Sequence, residues 1–230
     1  MCCRKVLSIA AMLAIGILAA PASATTLETW HMTDQELYEF LPDVVFVAEG
    51  RIGALGGPRT FELDLGETTA APHVQADFPW QNGVTESFSL DYSNVSGMAD
   101  FTVGDTTLSY SPTIPFSLIF IRTAAYKDGS SVLLEDLVLD GVAVGDVSHA
   151  VSGTQTKDIL AISGAELTDG FSLTGDVTMS WGAIVPQNSQ LAFQIKVDDP
   201  APIPEPGTMA LLAAGIAGLC TGAIRRRRAG

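Results

Sequence analysis

Short runs along the middle of the chain alternate apolar and polar residues. Thr60-Phe61-Glu62-Leu63-Asp64-Leu65, Ser87-Phe88-Ser89-Leu90-Asp91-Tyr92 and Leu191-Ala192-Phe193-Gln194-Ile195-Lys196-Val197 all repeat with period two. That period predicts strands with one face buried and the other wet. Residues 116–121 and 132–139 are more continuously apolar, which predicts central strands covered on both sides. Turn-forming pairs such as Asn82-Gly83, Gly104-Asp105, Asp140-Gly141 and Asp169-Gly170 separate the runs. One helix is expected over residues 33–41: Thr33 can cap it, Glu36 completes a capping box, Leu37, Phe40 and Leu41 share a face, and Pro42 stops it. About ten strands with one short helix predict an all-β domain over residues 25–197. The expected architecture is an antiparallel β-sandwich, jelly-roll-like, with the helix plugging one end.

Both ends of the chain depart from this pattern. Arg4 and Lys5 precede an apolar run over residues 6–20, and Pro21 with Ala22-Ser23-Ala24 supplies a small-x-small site. These features predict a signal peptide over residues 1–24, cleaved after Ala24 by signal peptidase. At the far end residues 198–203 read as a linker, followed by Pro204, Glu205 and Pro206, an apolar stretch over residues 209–224, and Arg225, Arg226, Arg227 and Arg228. Sixteen helical residues rise about 24 Å, short of a hydrocarbon core of about 30 Å, so the expected transmembrane helix is a marginal one. The arginines keep its end cytoplasmic and leave the folded domain outside.

The tail over residues 204–230 resembles the PEP-CTERM sorting signal, in which a Pro-Glu-Pro motif, a short membrane helix and a basic cluster follow in that order. The resemblance implies an exosortase substrate: a membrane cysteine protease-transpeptidase would recognise Pro204, Glu205 and Pro206 and cut the tail. Two prolines hold that segment extended, as a protease cleft requires, and Glu205 adds a charge to read. The implied route is export, a transient tether in the inner membrane, and then the cell surface or extracellular matrix of a Gram-negative-type bacterium that makes exopolysaccharide. A permanent single-span anchor is the alternative.

Composition narrows the partners. Between Thr25 and Ile203 the chain holds 25 acidic residues against six basic ones, a net charge of −19. Such an excess repels nucleic acid, whose binding draws on Lys and Arg. Cys2, Cys3 and Cys220 all lie in the apolar ends, so the domain is held by its core and not by disulfides.

No active-site pattern accompanies the addresses. The domain contains no Gly-x-Ser-x-Gly elbow and no His-Glu-x-x-His, and its histidines His31, His73 and His149 are isolated. The expectation is therefore a non-enzyme with no catalytic residues, no cofactor and no metal. Asp91, Asp100, Asp105, Asp140, Asp146, Asp169 and Asp176 flank turns, where aspartate serves turn formation more often than calcium. Arg51 and Arg122 lie in strand-like sequence, where pairing with acidic neighbours or solvation is expected. Trp80 and Trp181 could stack on sugars if exposed, with core packing the plainer expectation.

Parts of the domain also resemble the choice-of-anchor families, and among them the one lettered W. Glu49-Gly50-Arg51-Ile52-Gly53, Trp80-Gln81-Asn82-Gly83, Phe120-Ile121-Arg122-Thr123-Ala124 and Phe171-Ser172-Leu173-Thr174-Gly175 are among the segments that carry it. That resemblance implies a bacterial surface domain and no reaction. The leading expectation is a structural or adhesive module. A carbohydrate-binding module in the exopolysaccharide layer, or a secreted glycan-active enzyme, are the alternatives.

Overall fold

A computed structural model describes residues 26–40, 44–53, 61–67, 74–112, 118–164, 167 and 169–198. The signal peptide expected over residues 1–24 and the tail, with its expected membrane helix and its arginine cluster, lie outside the described residues, as do linker residues 199–203. In chain order the elements are β1 (Glu28–His31), α1 (Asp34–Phe40), β2 (Val44–Ile52), β3 (Phe61–Gly66), β4 (Val74–Asp77), β5 (Thr85–Ser93), β6 (Met98–Val103), β7 (Thr106–Tyr110), β8 (Leu118–Ala125), β9 (Ser131–Leu139), β10 (Val142–Ala143), β11 (Ser148–Val151), β12 (Lys157–Ser163), β13 (Gly170–Ser180) and β14 (Leu191–Asp198). The last strand takes in Asp198, which the sequence assigns to the linker.

The strands form two antiparallel sheets packed as a sandwich. Sheet I has the order β1-β12-β8-β14-β2-β3-β4; sheet II has the order β10-β9-β13-β5-β6-β7, with β11 also paired to β9. Four antiparallel pairings are nested in sequence and alternate between the sheets: β2 with β14, β5 with β13, β8 with β12, and β9 with β11. This nesting is the winding of a jelly roll, with β3 and β4, β6 and β7, and β1 extending it at the edges.

Local sequence explains several joints. Leu139 pairs with Val142 across Asp140 and Gly141, whose φ angles of 51° and 80° are those of a two-residue turn with both central residues left-handed. Thr33 and Glu36 form the expected capping box: the Glu36 carboxylate accepts the Thr33 amide at 2.7 Å, and the Thr33 hydroxyl accepts the Glu36 amide at 3.3 Å.

The main core fills the space between the sheets, with Phe46, Leu63, Leu90, Phe101, Ile121, Leu134, Leu173 and Phe193 all buried. A smaller cluster lies outside sheet I, where Leu37 of α1 packs with Leu118, Phe120, Ile159 and Ala161. The helix therefore covers part of a sheet face and does not plug a sandwich end. The reason is the outward-facing apolar side chains of β8 and β12, which need a cover.

Burial also corrects two strand expectations. β5 and β13 alternate between buried and partly exposed, as period two requires. In β3 and β14 the polar positions are buried as well: Glu62, Asp64 and Lys196 are at most 9% exposed. Conversely, β9 alternates and is not covered on both sides, because no helix lies on its outer face among the described residues.

Candidate functional site

The strand register gathers charge on the outer face of sheet I. Arg122, Gln194, Glu49, Asp64 and Gln75 stand side by side across β8, β14, β2, β3 and β4. Arg51 pairs with Glu62 in the adjacent row. The Arg51 guanidinium approaches Glu49 at 3.3 Å, Glu62 at 3.0 Å and Asp64 at 2.9 Å. Gln194 donates to Glu49 at 2.9 Å, and Gln75 donates to Asp64. The contacts at Glu49 Oε2 and Asp64 Oδ2 are ionic approaches, neither a well-directed hydrogen bond.

Three carboxyls around one guanidinium cannot all ionise freely when buried. Burial pushes the Glu49 carboxyl up to about 7, against the Gln194 hydrogen bond and the Arg51 charge. Asp64 is also raised, again chiefly by burial, with Glu62 adding repulsion. The arrangement makes a neutralised structural network. Arg51 and Arg122 thus pair with acidic neighbours, as the sequence leads one to expect; Arg59 lies outside the described residues.

Next to this network, α1 and sheet I bound a cleft of about 150 Å³ lined by Asp34, Leu37, Tyr38, Arg122, Gln194 and Lys196. Asp34 accepts from Arg122 Nε at 3.3 Å and also contacts the Lys157 ammonium. Lys196 projects from β14 and is 9% exposed. Its ammonium has no hydrogen-bond or ion-pair partner among the described residues. Burial first, then the Arg122 charge, push it down to about 8, while Glu49 pulls the other way.

His31 forms a second cluster where β1, β12 and the segment before β11 meet. Its Nδ1 lies 2.8 Å from Asp158 and its Nε2 lies 3.4 Å from Asp146. Asp158 also accepts the His149 amide at 3.1 Å and the Gln155 side chain at 3.0 Å. Burial lowers the His31 pKa, but the bond to Asp158 and then Asp146 outweigh it, and the net shift is upward. Burial likewise opposes ionisation of Asp146, yet the Val147 amide and His31 leave its carboxyl below the usual range. Both ring nitrogens face carboxylates, so the group is a clasp on the edge strand. Sequence spacing carried no sign of it, because the partners stand 115 and 127 residues from His31.

The other sequence candidates disperse. Trp80 is 4% exposed and packs edge-on against Phe78 and Phe193, so it offers no stacking face; Trp181 is half-buried against the core. Of the aspartates expected to flank turns, Asp140 lies in one and accepts the Ser172 amide, whereas Asp91, Asp100 and Asp176 lie within β5, β6 and β13, where Asp100 accepts the Ser109 hydroxyl and Asp176 the Ser87 hydroxyl. Among the described residues no three His, Cys, Asp or Glu side chains form a metal-ligating group. His73 and the sorting residues Pro204, Glu205, Pro206 and Arg225 to Arg228 lie outside the described residues.

Comparison with known proteins accounts for the tail. Residues 202–228 match the PEP-CTERM protein-sorting motif. The motif marks an exported protein whose tail is a substrate for exosortase. It leaves the sandwich unassigned, and the choice-of-anchor resemblance has no support from it. No curated protein matches the chain.

Proposed function

We propose that this protein is an exosortase-processed component of the cell surface or extracellular matrix, whose sandwich serves a structural or adhesive role without catalysis. The observation that carries the reading is the sorting motif at residues 202–228, and the export signal expected over residues 1–24 agrees with it. On this reading signal peptidase cuts after Ala24, the apolar stretch over residues 209–224 holds the chain in the inner membrane, and exosortase acts at Pro204, Glu205 and Pro206. The choice-of-anchor resemblance of the sandwich is part of the same proposal.

The described fold is compatible with a robust, passive module. A large apolar core, a neutralised charge network and a histidine whose two ring nitrogens meet carboxylates supply cohesion, with no acceptor left on His31 to activate a hydroxyl. A carbohydrate-binding role is the second reading. Burial of Trp80 removes one of its supports, and the cationic cleft beneath α1 supplies another.

Intact mass of the mature protein, from cells with and without the sorting enzyme, tests the main reading. The expected product starts at Thr25 and lacks Met209 to Arg228 only when the enzyme is present. Retention of those residues in both strains would overturn processing and leave a permanent anchor. Glu205→Ala should block maturation in the same assay.

A further inference from the structure

We propose that the cleft between α1 and the outer face of sheet I is a binding site for the carboxylate of an acidic sugar, held by Lys196 and Arg122. The starting observation is a cation on a largely buried side chain that opens into the cleft and has no counterion among the described residues. Lys196 is 9% exposed, its ammonium has no hydrogen-bond or ion-pair partner among the described residues, and it lines the cleft with Arg122. Leaving a buried ionised group unpaired is costly, and proteins pair such groups or coordinate a ligand with them. Elsewhere on the same face the rule is obeyed, since Arg51 meets three carboxylates within 3.3 Å.

Local charge points to an anion. The cleft is lined by Arg122 and Lys196 against Asp34, which already binds Arg122 and, from outside the cleft, Lys157. Glu49, the carboxyl that acts electrostatically on Lys196, is drawn toward Gln194 and Arg51 and raised to about 7 by burial, so it is only partly ionised near neutrality. Against a net charge of −19 over residues 25–203 this is a local excess of cations. Lys196 supplies a point charge with three donors, and Arg122, whose Nε is held by Asp34 and one Nη by the Tyr126 hydroxyl, adds its remaining N–H groups, which together suit a carboxylate.

Size and lining define the ligand further. About 150 Å³ is well below the roughly 300–1,000 Å³ of pockets that enclose a drug-sized molecule, so the cleft takes a substituent and leaves the rest of the ligand outside. Tyr38 stands at the cleft and is 64% exposed, with its ring available to the apolar face of a sugar. Gln194 adds an amide within the same wall. A uronic acid combines the carboxylate, the ring and the hydroxyls that these groups would meet. The anion site stands on the lining and charge of the cleft, whereas the assignment of a sugar acid rests also on the surface location proposed above.

The test uses the mature full-length domain with D-glucuronate, D-glucose, acetate and a short peptide with a free C-terminal carboxylate. The Lys196 side-chain resonance is followed by NMR and affinity by calorimetry. Glucuronate should shift the Lys196 signal and raise its titration midpoint, glucose should do neither, and Lys196→Met and Arg122→Gln should each weaken binding at least tenfold. Tyr38→Ala should weaken glucuronate binding severalfold and leave acetate unchanged. Because Lys196→Met keeps the buried stem and removes a charge that has no partner among the described residues, it should melt no lower than the parent, which separates lost binding from lost folding. No response of Lys196 to any anion would overturn the site. Acetate or the peptide binding as tightly as glucuronate would overturn the sugar assignment. Failure of export or processing would show instead in the intact-mass experiment and would leave these binding results untouched.

Discussion

The two outer faces of the sandwich are built from the same alternation and end in opposite states. On sheet II the outward residues of β5, β6, β7 and β13 are mostly serine, threonine and aspartate, small groups that bond to one another across neighbouring strands and remain wet. Thr85 meets Thr178 at 2.7 Å, Ser87 meets Asp176 at 2.9 Å and Thr102 meets Thr107 at 2.9 Å, all at exposed positions. On sheet I the outward residues of β2, β3 and β14 carry full charges on longer side chains, yet Glu49, Arg51 and Asp64 are no more than 5% exposed. Period two tells which way a side chain faces. Whether that face is wet depends on what lies over it, which the pattern does not encode.

If the sheet I network is a buried, mutually compensating unit, removing the Arg51 guanidinium, the one that meets three carboxyls among the described residues, should have the largest effect. Arg51→Met would leave Glu49, Glu62 and Asp64 facing one another without their shared cation. Breaking a buried pair in this way costs about 3–5 kcal/mol. For a domain of this size that corresponds to a fall in Tm of roughly 6–20 °C. A loss below about 1 kcal/mol by chemical denaturation would mean that water reaches the network and that the contrast between the faces is false.

The second effect depends on pH. Glu49 has its folded pKa raised from 4.5 to about 7, so the folded state holds a proton that the unfolded state has already released. Its contribution therefore falls as pH rises from about 4.5 through about 7 and is level above that. At about 1.4 kcal/mol for each tenfold change in proton affinity, the fall approaches roughly 3 kcal/mol. Glu49→Gln keeps an oxygen for the Gln194 amide and has no proton to lose. Measured against the parent, it should gain relative stability between pH 5 and pH 8. A difference that is the same at both pH values would show that Glu49 does not titrate in a buried setting.

Legibility in the sequence followed the range of each interaction. The capping box of Thr33 and Glu36 spans three residues and the turn at Asp140 and Gly141 two, so both could be read locally. The sorting tail is a linear motif and could be read for the same reason. The sheet I network joins Gln194 to Glu49 across 145 residues, and nothing in a run of alternating residues marks that contact. Part of it did leave a trace. Glu49-Gly50-Arg51 on one strand and Glu62-Leu63-Asp64 on the next place an arginine opposite acids, which hairpin pairing brings together. Glutamate or lysine at such a position looks the same whether it is solvated or paired. The cleft at Lys196 was illegible because its walls come from α1, β8 and β14.

The smallest expected effect lies on sheet II and serves as the counterpart of Arg51. Asp176 accepts the Ser87 hydroxyl at 2.9 Å at an exposed position, and across the other flank it stands in register with Glu135. Losing the hydrogen bond removes an interaction that water replaces, while losing the charge relieves repulsion from Glu135. The two changes oppose each other. Asp176→Ala should therefore alter stability by no more than about 0.5 kcal/mol, the usual range for surface substitutions. Added salt should shrink whatever difference remains, because exposed charges are screened over about 8–10 Å at ordinary ionic strength. Asp176→Asn, which keeps an acceptor for Ser87 and removes the charge, separates the two contributions and should be slightly more stable than Asp176→Ala. A loss for Asp176→Ala that matched that of Arg51→Met would show that sheet II's outer face is also covered, and the two faces would no longer be opposites.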